Sequence, residues 1–527
     1  MDFDLPYLSS RQPVLGKNVV ATSQPLAAQA GLWMLQVGGN AVDAAIAAAI
    51  TLTVVEPTSN GIGSDLFAIV WDGTNLHGLN ASGRSPSAWT PERFRGPDAM
   101  PRYGWDSVTV PGAVSGWVAL SERFGRLPLD RLAQPAIRYA RDGFLLSPIV
   151  ADSWSRASAT YAKFEAFSEG FLPGGRSPVA GERFSFTDQA ATLEAIVKSG
   201  GEDFYRGALA RLIAADSARH GGALSEADLA NHRADWVGTI STSYHGTELH
   251  EIPPSGQGLA ALIALGILRH HALSESALDS ADGIHLQIEA MKLALADVYR
   301  YCADPDYMHT SAMELLDDDY LQQRSALIDP QRAGEPAFGV PKRGGTVYLT
   351  TADESGMMVS LIQSNYYGFG SGIVVPGTGI SLQNRGSGFT LEEGHPNQVG
   401  GGKRPFHTII PGFLMRGGRP QMSFGVMGGA MQAQGHLQMV VRTVDFGQNP
   451  QAASDAPRWR IESGREVAVE VGFAAGVLDE LRRRGHQITE SGPSEQSAFG
   501  GAQLIWRTDD GYIAGSDHRK DGQAVAY

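Results

Sequence analysis

One cysteine in 527 residues, Cys302, leaves no partner for an intramolecular disulfide framework and no thiolate set for a metal cluster. It ends the helical pattern ADVYRYC, where it reads as a small buried apolar residue. Charge is scarce as well: 19% of residues are charged, against a usual share of about 25%. The chain therefore reads as compact, with much buried surface. Lys plus Arg number 42 against 56 Asp plus Glu, a net charge of -14, and no basic arm or stripe is concentrated anywhere. Nucleic acid and anionic membrane surfaces are poor partners for such a chain. A small anionic substrate remains compatible, because the local field of a pocket can oppose the global sign. Long apolar runs are missing too. The longest, AVDAAIAAAITLTVV from Ala41, has 15 residues with Asp43 inside it, short of the roughly 20 that span a bilayer. The N-terminus, MDFDLPYLSSRQP, lacks an apolar signal core, so a cytoplasmic location is expected. Histidines occur singly or as His270-His271, without metal-ligand spacing, and no metal or cofactor is expected.

What is present reads as alternating helices and strands. SQPLAAQAGLWMLQVGG reads as a helix with Ser23 near its N-cap, Pro25 in the first turn, and Gly38 and Gly39 ending it. Asn40 then caps a second helix, with Asp43 three residues on as in a capping box, and Pro57 stops it. An apolar helix pair of this kind belongs inside a layered domain. Strands are expected in DLFAIVWDG and LHGLNAS, then helices in GAVSGWVALSERFG, DRLAQPAIRYARDG and GIHLQIEAMKLALADVYRYC. The polar stretch from Asp304 to Lys342 reads as an exposed linker. TVYLTTAD and MMVSLIQSN, joined by Glu-Ser-Gly, carry a hairpin signature. Further strands are expected in FHTIIPGFLM, PQMSFGVMGG and GAQLIWRTD, with helices in GHLQMVVRTVDF and AAGVLDELRRRG. This order favours an α+β or layered α/β fold.

Two glycine-rich stretches fail as nucleotide loops. In GGGKR from Gly400, Lys403 is followed by Arg404 where a phosphate loop has Ser or Thr, and GFGSG from Gly368 opens no helix. A nucleophile elbow in strand-turn-helix context is absent. There remains KRGGTVYLTTADESG, in which a strand pattern begins at Thr346 straight after two glycines. Locally this is an ordinary strand start.

Distant stretches change that reading. GGNAVDAAIAAAITLTVVEPTSNGIGSD, SVTVPGAVSGW, the segment TVYLTTADESGMMVSLIQSNYYGFGSGIVVPGTGISLQN, GKRPFHTIIPGF and SFGVMGGAMQAQGH occur in one order along the chain. Together they resemble the γ-glutamyltransferase family of N-terminal-nucleophile hydrolases, from about residue 18 to the C-terminus. The resemblance implies an α+β, four-layer αββα sandwich formed by two autoprocessed subunits. These are a large segment 1–345 and a small segment 346–527, together one globular unit. It implies that the precursor cuts itself between Gly345 and Thr346.

Such a cut frees an α-amine on the residue that carries the hydroxyl. An α-amine titrates near neutrality, so one residue serves as nucleophile and base. Gly344 and Gly345 suit the step because a backbone without Cβ admits strained geometry. By the same resemblance, Gly428 and Gly429 supply oxyanion-hole amides, Ser364 bonds the nucleophile, and Arg84 clamps a substrate carboxylate. Departures from the glutamyl pattern mark the substrate. Ser387 and Gly388 stand where an acidic residue would hold a substrate ammonium, His407 and Thr408 replace paired serines, and Tyr366 replaces an asparagine. The implied substrate is a small carboxylate-bearing amide, as in the oxamate amidohydrolase branch, which releases oxalate and ammonia. Alternatives are a γ-glutamyltransferase or glutathione hydrolase, a glutaryl-type acylase, and an unprocessed, non-catalytic binding protein.

Overall fold

The computed structural model describes residues 10–273, 276–336 and 345–527. Lys342, Arg343 and Gly344 lie outside them. Two seven-stranded antiparallel sheets form the frame. In the first, the strands run in the order Gln523–Ala526, Val19–Thr22, Gly345–Ala352, Met358–Tyr366, Asp65–Trp71, Leu76–Asn80 and Asp235–Trp236. In the second the order is Val14–Gly16, Tyr512–Ser516, Gly501–Arg507, Arg419–Met427, Gly412–Arg416, Thr247–Glu251 and Ile240–Tyr244. Each sheet mixes strands from before and after the Gly345–Thr346 junction.

Alternation along the strands sorts side chains between layers. Phe67, Ile69 and Trp71 point inward with Tyr348, Met358, Ile362, Phe413 and Ile505, making an apolar layer between the sheets. Leu66, Ala68, Val70, Val347, Leu349, Val359 and Leu361 point the other way, onto the helices Ala41–Val55, Ala113–Phe124 and Leu129–Asp142. On the far side, Leu414, Phe424, Val426 and Leu504 meet the helices Gly258–Leu268, Ala281–Tyr301 and Met431–Val444. Helices therefore cover both outer faces, giving the four-layer αββα sandwich.

Local signals explain much of this. Helix Ala41–Val55 is buried along its whole length, and its capping box between Asn40 and Asp43 is formed as expected. The preceding helix, Pro25–Gln36, is capped instead by Gln24, whose side chain accepts from the amides of Leu26 and Ala27. Ser23 is unavailable for that task because its hydroxyl donates to buried Glu56 at 2.5 Å. The polar stretch after Asp304 is also corrected. It carries helices Ala312–Leu315 and Asp318–Ser325 and buries Leu315, Leu321 and Ile328, so sparse apolar anchors fix it to the core. The segment FHTIIP forms no strand. Its amides are taken singly: Phe406 donates to the Asn397 side chain, His407 to the Ser255 carbonyl and Ile410 to the Gln432 side chain.

Candidate active site

Thr346 stands at the start of its strand, opposite the end of Met358–Tyr366 in the hairpin. It shares strand parity with Tyr348, Thr350 and Ala352, so its side chain belongs to the face between the sheets, and it is 2% exposed. Its Oγ1 lies 3.2 Å from Ser364 Oγ. Ser364 is fixed in turn by the amide of Tyr366, which donates to its Oγ at 2.7 Å. A third group, Gln432 Nε2, donates to Thr346 Oγ1 at 3.3 Å, while Gln432 Oε1 accepts from Ile410 at 3.1 Å. Gln432 reaches the threonine from the opposite sheet's helix, Met431–Val444.

That helix is preceded by Gly428 and Gly429, with φ of +126° and +62°. Both values lie in the region where a Cβ is strained, and a Cβ on Gly428 would sit 3.1 Å from Gly500 Cα. The pair thus turns the chain sharply from strand Arg419–Met427 into the helix, and a helix start presents amides that suit developing negative charge. Gln257 pins the turn, donating from Nε2 to the carbonyls of Gly429 and Thr408 at 2.7 and 2.5 Å.

Behind Ser364 the expected site residue His407 joins a buried polar cluster with Asp65 and Arg385, two residues that no sequence motif singles out. Asp65, His407 and Arg385 are all fully buried. His407 Nε2 lies 3.1 Å from Asp65 Oδ2, and its Nδ1 accepts from the Ile409 amide at 3.4 Å, so the ring serves as a neutral spacer. Burial, with Arg385 and Arg404 nearby, holds the His407 pKa well below its usual value. Burial also pushes Asp65 up to about 7, against the opposing pull of Arg385 and the amides of Gly83 and Gly112. Arg385 is lowered to about 10 by desolvation. Its Nη1 donates to Thr408 Oγ1 at 2.9 Å, and its guanidinium carbon lies 4.3 Å from the centroid of the Tyr366 ring. Tyr366 itself has φ +79°, a rare conformation for a bulky residue.

Two cavities adjoin these residues. One of about 450 Å³ is lined by Tyr366, Ser387, Gly388, Phe389, Phe406 and Arg102, among others. Cys302, buried as expected, lies on its wall. The other, about 410 Å³, is lined by Arg84, His232, Asp235, Gly402 and Arg404. Arg84 is 42% exposed, and its Nη1 is held by Asp304 at 2.9 Å and the Gly402 carbonyl at 3.1 Å. Arg84 thus lines a different cavity from Tyr366, while Thr346, Ser364, Gln432 and the Gly428-Gly429 turn are brought together.

One group converges without any sequence spacing to announce it: His285, Glu289 and His486. Most of their polar atoms are already engaged, His486 Nδ1 excepted. His285 Nδ1 and His486 Nε2 lie 2.8 Å apart, and the Lys292 ammonium sits 2.9 Å from Glu289. An ammonium thus fills the cationic place, and burial lowers the Lys292 pKa.

A sandwich of two antiparallel sheets between helices, with a hydroxyl at the head of a central strand and a glycine turn opening the helix that reaches it, is the arrangement of the N-terminal-nucleophile hydrolase class. The family model described as gamma-glutamyltranspeptidase matches residues 27–527, and the chain belongs to that family. It is 34% identical to the glutathione hydrolase-like YwrD proenzyme of Bacillus subtilis over 518 residues, covering 97% of this chain and 98% of that one. It is 35% identical to the oxamate amidohydrolase proenzyme of Klebsiella pneumoniae over 522 residues, covering 95% and 97%. The crystal structure of cephalosporin acylase from Bacillus halodurans superposes with a TM-score of 0.96 at 48% identity, covering 100% of this chain and 99% of that one. The chain is therefore an amidohydrolase of the N-terminal-nucleophile type. No helix among the described residues is long and apolar enough to cross a membrane.

Proposed function

We propose that this chain cuts itself between Gly345 and Thr346 and then hydrolyses the amide of a small carboxylate-bearing substrate through an acyl-enzyme on Thr346. The observation that carries this reading is the convergence of Ser364 Oγ and Gln432 Nε2 on Thr346 Oγ1, at 3.2 and 3.3 Å. In the first step the Thr346 hydroxyl attacks the Gly345 carbonyl, and water then hydrolyses the resulting ester. The released α-amine takes the hydroxyl proton in later turnovers, when Thr346 attacks the substrate amide, and returns a proton to the leaving amine. Gly428 and Gly429 direct backbone amides at the oxyanion. Segments 1–345 and 346–527 stay together after the cut, because both sheets draw strands from each.

Arg84 keeps nearly half its side chain exposed beside Asp304, which suits an incoming carboxylate. Tyr366 borders the 450 Å³ cavity, and Tyr366 and Thr408 both contact Arg385, beside which stands the Asp65–His407 pair. Ser387 and Gly388 offer no carboxylate where a glutamyl enzyme holds the substrate ammonium, the cavity's acidic groups being Asp98 and Glu392 elsewhere on its lining, and this favours a substrate without an α-amino group. Oxamate is the smallest amide meeting both conditions. A second reading, a longer carboxyl-bearing acyl chain of the glutaryl type, is favoured by the 450 Å³ cavity and the likeness to a cephalosporin acylase. Ammonia release from oxamate, amine release from a glutaryl amide, and nitroaniline release from γ-glutamyl nitroanilide are to be compared on one preparation. Preference for the γ-glutamyl compound would overturn both readings.

A further inference from the structure

Arg385 is the one guanidinium of the buried cluster with donors to spare. Its side chain is fully shielded, yet Nε and Nη2 have no hydrogen-bond partner. The nearest carboxylate oxygen, Asp65 Oδ2, stands 3.9 Å from Nε, beyond hydrogen-bond reach, and is already engaged by His407. Asp65 Oδ1 faces the amides of Gly83 and Gly112 at 3.3 and 3.2 Å. Buried charged donors without acceptors are costly, and proteins normally satisfy them. An acceptor supplied by a ligand resolves the deficit.

The geometry of the free edge says which acceptor. Nη1 is tethered to Thr408 Oγ1 and the guanidinium plane lies against the Tyr366 ring, so the cation is held in one orientation. What remains open is the Nε and Nη2 edge, the two parallel donors that fork a carboxylate. One ring contact and two hydrogen bonds link Arg385 to the reacting atoms. Tyr366, in contact with Arg385, donates its amide to Ser364 Oγ, which is 3.2 Å from the Thr346 hydroxyl. Ser387 and Gly388, two and three residues beyond Arg385, line the 450 Å³ cavity together with Tyr366.

We infer that Arg385 is the inner carboxylate anchor of the substrate's acyl part, bidentate through Nε and Nη2, with Arg84 an outer contact. This inference rests on the proposed amidohydrolase reading and adds a specificity residue to it. The anchor selects acyl groups whose carboxylate lies within a few bonds of the scissile carbonyl. Arg385 itself is not on the cavity lining; Tyr366, which lines the cavity and packs on the guanidinium, has to move aside for the anion to reach it.

The test reads binding apart from turnover. Processed wild type, Arg385→Met and Arg84→Met proteins, each verified by intact mass, are titrated calorimetrically with oxalate, a carboxylate probe with no amide to cleave. Arg385→Met is expected to weaken oxalate binding about 100-fold, the effect of removing one partner of a buried charge pair, and Arg84→Met far less. Equal affinity in wild type and Arg385→Met, or loss in Arg84→Met alone, overturns the inference. Should Arg385→Met fail to fold, Arg385→Lys keeps the charge without the fork. It is expected to bind about tenfold more weakly than wild type, and undiminished affinity overturns the inference. Wild-type protein that binds oxalate but hydrolyses no carboxylate amide defeats the proposed reaction while leaving the anchor standing. Absence of oxalate binding in wild type defeats the anchor.

Discussion

Replacing Ser364 with alanine removes two contacts whose consequences separate cleanly. The first is the acceptor of the Tyr366 amide, at 2.7 Å in a buried setting. An orphaned buried N–H costs about 1 to 3 kcal/mol, and here it also frees a backbone held at φ +79°, so folding stability should fall by about 2 kcal/mol. The second is the hydroxyl 3.2 Å from Thr346 Oγ1. While Thr346 attacks, its oxygen passes proton and charge to its surroundings, and a hydrogen bond to a charged group contributes about 1.5 to 3 kcal/mol. At about 1.4 kcal/mol per tenfold, self-cleavage should slow by roughly 10- to 100-fold. The assay follows newly synthesised protein by intact mass, scoring the 527-residue chain against its fragments, beside a denaturant titration of the Thr346→Ala background that isolates stability. Cleavage at the wild-type rate in Ser364→Ala would refute the part given to this hydroxyl. Slower cleavage with unchanged stability would refute the part given to the Tyr366 amide.

Other consequences follow from the same contacts. Gln432→Ala removes the donor from the opposite sheet and should slow cleavage about tenfold, read by the same mass assay. Gly428→Ala forces a Cβ onto φ +126° and within 3.1 Å of Gly500 Cα, which should cost about 1 to 3 kcal/mol in thermal or denaturant unfolding and lower turnover with it. Asp65 carries a folded pKa of about 7 against its usual 3.8, so between these values the folded chain holds a proton the unfolded chain has lost. Its contribution is present below about pH 4 and is lost as pH rises through about 7, a slope of at most about 1.4 kcal/mol per pH unit. Asp65→Asn should flatten that slope in unfolding titrations across this window. His407, with its lowered pKa, acts oppositely and loses stability as pH falls below about 6.5, which is why the comparison is made between the two proteins.

The elements that place the nucleophile are legible because their signals are local. A period of two with a short turn specifies the Thr346 hairpin, and Asn40 with Asp43 fixes the entry to a wholly buried helix. The cluster of Asp65, Arg385 and His407 is not legible, because three distant segments supply it and nothing in LQNRGSGF marks its arginine as buried. Gln432 escapes notice for a related reason: a glutamine in the first turn of a helix reads as solvent-facing until the other sheet is packed against it. FHTIIP looks like a strand because its residues favour extended backbone, but side chains and isolated carbonyls take its amides and leave no ladder. Ser23 loses its capping role to Gln24 because a buried carboxylate, Glu56, takes its hydroxyl. In each case a tertiary partner outweighs the local preference.

The central claim, that Thr346 becomes a chain terminus whose hydroxyl does the chemistry, is tested most directly by intact mass with N-terminal sequencing of freshly purified wild type beside Thr346→Ala. Two associated polypeptides are predicted for wild type, one of 345 residues and one of the remaining 182 that begins at Thr346, with a single chain of 527 residues for the variant. A wild-type chain that stays whole and inactive after prolonged incubation, or one cut at any other bond, contradicts it.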